Sequence, residues 1–229
     1  MSTLLLLAQL TSAQSAECPD YAEQPVALQE LEPHASRGAL NSDEIACLEQ
    51  RYGESTVQTT KDKISRVLMV NAYATDTTTW AQLVERHLQE VDRSDPDIAY
   101  LYAFYLFNSD KSRVDDALVW ADLALERKDA WTGRVYVARV YALMQLRAMA
   151  ALDRWRLANE QRVTGDGPAD GVANLRNEAK TLAREWVDFT IVSKRNPEHA
   201  VSVCLSVASQ EACGLDAGSD GAPESADEP

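Results

Sequence analysis

The sequence predicts an all-α fold: a short α-solenoid of antiparallel helix pairs with capping helices at both ends. Three observations predict it. Residues 117–126 match residues 151–160 at five of ten positions, Ala117/Ala151, Leu118/Leu152, Leu123/Leu157, Ala124/Ala158 and Glu126/Glu160, a spacing of 34. The same spacing links Ile64, Val67 and Tyr73 to Ile98, Leu101 and Phe107, and these to Thr132, Val135 and Tyr141. Only nine glycines and eight prolines occur in 229 residues, several of them between stretches of helical apolar spacing. One helix pair cannot bury its apolar face alone, so a fixed period of this length signals pairs stacked on one another.

The formal net charge is −14. A surface that acidic disfavours general binding to nucleic acid or anionic lipid, which needs fields of Lys and Arg. The apolar run Leu4-Leu5-Leu6-Leu7-Ala8-Gln9-Leu10 precedes Thr11-Ser12-Ala13, small residues suited to cleavage. Residues 1–13 therefore read as a signal peptide, and the protein as exported to a periplasmic or extracellular space. The run is too short to span a bilayer, which takes about 20 apolar residues. No later segment reads as a membrane span. Four cysteines fit an oxidising compartment, and four allow three connectivities. Pairing each end locally gives Cys18–Cys47 and Cys204–Cys213, each pinning a terminus against fraying.

Residues 14–58 read as an N-terminal helical cap. A helical pattern from Val26 ends at Pro33, and Asn41-Ser42-Asp43-Glu44 starts a second helix that Gly53 closes. Residues 59–161 hold the repeats. The first pair has Ile64, Val67, Leu68 and Ala72, then a turn at Asp76, then Trp80, Leu83, Val84, His87 and Leu88. His87 reads as a packed histidine on the apolar face. The second pair is aromatic-rich from Ile98 to Phe107, followed by Val114 to Glu126. A third pair is expected over residues 131–161, with its turn near Leu146-Arg147-Ala148, because the match resumes in register at Ala151; a single long kinked helix is the alternative, since no Gly, Pro or Asn lies between Arg134 and Arg156. Residues 162–213 read as capping helices after a loop at Thr164-Gly165-Asp166-Gly167-Pro168. Apart from Leu215, residues 214–229 are Gly, Ala, Ser, Pro and acid alone, the composition of a disordered acidic tail.

Tyr102/Ala103 and Ala117/Ala121/Ala124, echoed around Ala151/Ala158, resemble the tetratricopeptide (TPR) type of helical repeat over residues 62–161. Met69 and Val137 stand where Ala103 does, and the closing Pro of that repeat is absent. The resemblance implies a right-handed α-solenoid whose first helices line a concave binding face. An exported protein of this kind is similar to envelope scaffold components of Gram-negative bacteria, including periplasmic parts of gliding-motility machines.

On that resemblance, three columns face the groove: Arg66/Tyr100/Arg134, Val70/Phe104/Ala138 and Tyr73/Phe107/Tyr141. Aromatics and Arg dominate binding hot spots. The partner-binding candidates are thus Arg66, Tyr73, Tyr100, Phe104, Phe107, Arg134 and Tyr141, and the two arginines favour an acidic peptide. An alternative is that these aromatics pack between repeats. The sequence carries no Gly-rich phosphate loop, His-Glu-x-x-His or nucleophile elbow. His34, His87 and His199 are scattered and there is no Cys-x-x-Cys, so neither a metal nor a cofactor is expected. The expected function is a non-catalytic protein-binding adaptor in the cell envelope. Alternatives are a permanent subunit of an envelope complex, such as a motility or secretion machine, or a glycan-active helical enzyme using Glu185 beside Trp186.

Overall fold

The computed structural model describes residues 18–109, 111–164 and 171–215. The expected signal segment, residues 165–168 of the expected loop and the acidic run 216–229 lie outside the described residues. Within them the fold is all-α: nine α-helices, three short 3-10 turns and no strand. The chain divides into two compact units, the boundary falling between Leu83 and Val84.

In the first unit, α1 (Pro25–Ala35), α2 (Ser42–Glu54) and α3 (Gln58–Thr75) pack together, α1 and α2 each on α3. Helix α2 starts where expected, because Asn41 and Glu44 form a capping box: Asn41 Oδ1 accepts from the amides of Asp43 and Glu44, and Glu44 accepts from Asn41 N–H. Pro33 does not end α1; it lies inside the last turns, and the helix runs on to Ala35. The α1–α2 turn needs Gly38, whose φ is +64° and whose missing Cβ would sit 2.6 Å from Thr75 Cγ2. The buried Asn71 Oδ1 accepts from Leu40 N–H at 3.2 Å and ties this turn to α3. Cys18 and Cys47 form a disulfide, as the sequence expects, joining the leading segment to α2. Helix α4 (Thr77–Glu90) contains the division between the units.

The second unit holds α5 (Pro96–Ser109), α6 (Val114–Glu126), α7 (Gly133–Thr164), α8 (Val172–Val192) and α9 (Glu198–Leu205). Helices α5 and α6 approach closely because the facing residues are small: Ala99 and Ala103 share a core with Ala121 and Ala124. The expected hairpin at residues 131–161 is not formed. Helix α7 is one continuous element of 32 residues. No Gly, Pro or Asn lies between Arg134 and Arg156, and Ala, Leu, Met and Arg there are strong helix formers, so nothing interrupts it.

The two halves of α7 are buried by different neighbours. Val140, Leu143 and Leu146 join the α5–α6 core. Ala148, Ala151 and Leu152 join the core of α8 and α9, with Leu182, Trp186, Val187 and Val203. Two arginines brace this arrangement. Arg147 reaches Asp122 on α6 at 2.6 Å and Glu185 on α8 at 3.0 Å. Its Nε is close to Asp122, but its N–H is not aligned on the carboxylate. Arg154, two turns on, reaches Asp115 on α6 at 2.8 Å and Glu178 on α8 at 3.1 Å. Rising numbers on α7 pair with falling numbers on both neighbours, so α6 and α8 each run antiparallel to it. Helix α7 is also long and apolar enough by composition to cross a bilayer, contrary to the sequence reading. Leu143, Leu146, Ala148, Ala150, Ala151 and Leu152 of this helix are buried against its neighbours, while Leu157 is exposed. Cys204 and Cys213 form the second disulfide, as expected, closing the turn after α9.

Candidate binding surface

The partner-binding candidates fall in both units. In the first, Arg66 is half-buried and donates from Nε to Asp62 Oδ1 at 2.9 Å. With Ala35, Lys63, Val67 and Val70 it borders a cleft of about 290 Å³ between α1 and α3. Tyr73 is 66% exposed and packs edge-on against Trp80, ring centroids 5.7 Å apart.

In the second unit the structure gathers Tyr100 and Phe104 of α5 into one half-buried patch with Trp131 and Arg139. The Tyr100 ring lies 5.0 Å from Phe104 and 6.1 Å from Trp131. Arg139 of α7 sits over both Tyr100, at 5.4 Å, and Trp131, at 5.1 Å. Asp97, in the first turn of α5, holds this group: its Oδ1 accepts from Trp131 Nε1 at 2.7 Å and from Arg139. Asp97 is thereby shared by two donors, and the guanidinium is fixed between two aromatic faces. Phe107, also partly buried, packs against the cores of α5, α6 and α7. Arg134 is exposed in the first turn of α7, and among the described residues it has no partner. Tyr141 packs against Trp186 of α8, centroids 5.8 Å apart. The columns therefore do not all share one face. Counting by 34 from Tyr100 reaches Arg134, whereas the residue over Tyr100 is Arg139, five positions later. Asp97, Trp131 and Arg139 were not among the candidates. A period count aligns equivalent positions and carries no sign of which side chains cross between helices.

Behind the patch, Tyr102 is fully buried and donates from its hydroxyl to Glu85, which also accepts from Arg113 NH1 at 3.1 Å. Burial, and then the Glu85 carboxylate, push the phenol well above its ordinary range. This network is closed on itself and locks α5 to α4 and to the α5–α6 turn. His87 is buried as expected, with Nε2 3.5 Å from Asp95 Oδ2. Glu185, considered as a shielded acid, is exposed and paired with Arg147, so apolar neighbours do not shield it. No family model matches the chain, and comparison with curated proteins and with solved structures finds no significant match.

Proposed function

We propose that this chain is an exported, non-catalytic protein-binding scaffold of the cell envelope, built on TPR-like helix pairs. The observation that carries the reading is the half-buried Tyr100–Phe104–Trp131–Arg139 patch, fixed by Asp97, whose composition is that of a protein-binding hot spot. A recurrence in the core supports the repeat. Trp80, Leu83 and Val84 are buried, as are Val114, Ala117 and Leu118, and again Ala148, Ala151 and Leu152, all at a spacing of 34. Ile64, Leu68 and Ala72 correspond in the same way to the buried Ile98, Tyr102 and Leu106. On this reading the pairs α3–α4 and α5–α6 belong to a right-handed solenoid, and the longer pair α7–α8 follows them. The two disulfides and the Leu4 to Leu10 run support export.

The test is cross-linking of the full chain in its native envelope, followed by recovery of the partner, for wild type and for Tyr100→Ala/Phe104→Ala. Wild type is expected to capture a specific protein that the double variant loses, with an unchanged melting curve. Undiminished capture by the variant overturns the surface. A free chain that is unstable alone, but stable in a stoichiometric complex, would instead mark a permanent structural subunit.

A further inference from the structure

The junction of α8 and α9 holds a row of hydrogen-bond donors without acceptors. Helix α8 ends in a Schellman turn: the N–H of Lys194 donates to Ile191 O at 3.1 Å and that of Arg195 to Thr190 O at 2.9 Å. The turn sets the Arg195 guanidinium 4.6 Å from the centre of the Tyr141 ring on α7. Tyr141 meets Trp186 edge-on, and Trp186 meets His199 of α9 edge-on at 5.1 Å. Arg195, Tyr141, Trp186 and His199 are thus contiguous across three helices of one unit.

Among the described residues, nothing accepts from the Tyr141 hydroxyl, the Arg195 guanidinium or the Lys194 ammonium, and the His199 ring has no hydrogen-bond partner. Trp186 is fully buried, and its Nε1–H is also unpartnered. Buried polar groups in native proteins are nearly always paired, so the indole N–H needs an account. Arg195, like Arg134, holds no carboxylate among the described residues. Arg139, Arg147 and Arg154 of the same unit each hold a carboxylate, in a chain with 36 acidic residues. The acid nearest in sequence, Glu198, accepts from Asn196 Nδ2 at 3.1 Å.

We infer that this row is a carboxylate-binding subsite for an acidic peptide segment of the scaffold's partner. Guanidinium N–H groups are matched to the two oxygens of a carboxylate, and stacking on Tyr141 pre-orients the fork. The Tyr141 hydroxyl adds a neutral donor, and the buried Trp186 indole, edge-on to the Tyr141 ring, reports on occupancy of the site. The proposal rests on the scaffold reading but uses a face separate from the Tyr100–Arg139 patch.

The experiment is a titration of the full ¹⁵N-labelled chain, followed at the indole N–H resonances. The probes are N-acetylated tetraglutamate amide, the matching tetraglutamine amide, glutarate and inorganic phosphate. A saturable shift of the Trp186 indole is expected with tetraglutamate and not with tetraglutamine, weakened about tenfold or more in Arg195→Gln, the loss of one charge-assisted pair. Tyr141→Phe, which keeps the stacked ring, weakens it less, and it decides the matter if Arg195→Gln does not fold. No shift at Trp186, or an equal one with phosphate, overturns the carboxylate site. Glutarate binding as tightly as the peptide overturns the peptide ligand. Partner capture lost on mutating the Tyr100–Phe104 patch, with Trp186 unresponsive, overturns this subsite and leaves the scaffold standing.

Discussion

Lys194 is the one non-glycine at positive φ among the described residues, at +54°. The position after a helix end that closes in a Schellman turn favours glycine, because a Cβ crowds the backbone there by about 1–2 kcal/mol. Glycine gives part of that back through a freer unfolded chain, so Lys194→Gly is expected to stabilise the protein by roughly 0.5–1 kcal/mol, read as a higher melting temperature. A lower one would mean that the lysine side chain contributes more than its backbone costs. Ala121 carries the opposite prediction. It is fully buried in the core that also holds Ala99 and Ala103 of α5, so Ala121→Leu overpacks it and is expected to cost about 1–3 kcal/mol by denaturant melting. An unchanged midpoint would show that this contact can open at no cost. The two positions differ in legibility. Ala121 was readable, since small residues at helical spacing mark close approach. The turn at Lys194 was not, because its usual signal is a glycine.

At the scale of elements, α7 shows where sequence reasoning ran out. The match between residues 117–126 and 151–160 suggested a third hairpin, yet repeat matching reports which positions are buried and small, not which way the chain then travels. Ala148, Ala151 and Leu152 are buried as their equivalents are, but against α8 and α9 on a helix that never turns. The absence of any breaker was the better signal. The arginine braces follow from that geometry. Asp122 is half-exposed, so the coupling between Arg147 and Asp122 in a double-mutant cycle is expected to be about 0.5–1 kcal/mol, falling with salt. A coupling of zero would leave apolar packing and the Arg154–Asp115 pair to hold α6 on α7. At the start of α4, Asp76 accepts from Thr79 Oγ1 at 2.6 Å and from Thr78 N–H at 3.0 Å, which hold its carboxyl below the usual range. Its folded value therefore lies below its unfolded one. The capping contribution is complete above the ordinary Asp range and is lost as pH falls through the lowered value. Amide exchange at Thr78 and Thr79 should rise with acid in wild type more than in Asp76→Ala, and equal acid sensitivity would remove the cap's role.

At the scale of the whole molecule, helical class and both cysteine pairings were legible, because period and even cysteine count are properties of the chain itself. The aromatic patch was half-legible: Tyr100 and Phe104 could be picked by composition, while Asp97, Trp131 and Arg139 acquire meaning only when α7 lies beside α5. Each disulfide staples residues of a single unit, Cys18 to Cys47 in the first and Cys204 to Cys213 in the second. The two close loops of different length, with separations of 29 and 9 residues. Loop-closure entropy then makes the first worth about 3–4 kcal/mol and the second about 2–3 kcal/mol. Cys18→Ser/Cys47→Ser is expected to speed amide exchange in α1, α2 and α3, where Leu48 and Ile64 are fully buried. Cys204→Ser/Cys213→Ser is expected to do so in α8 and α9, where Trp186 and Ala200 are. Mapping of the mature protein under non-reducing conditions should recover both bridges. Free thiols at all four positions would count against the staples and against export to an oxidising compartment together, and exchange rates unchanged on removal of the cysteines would count against the staples alone.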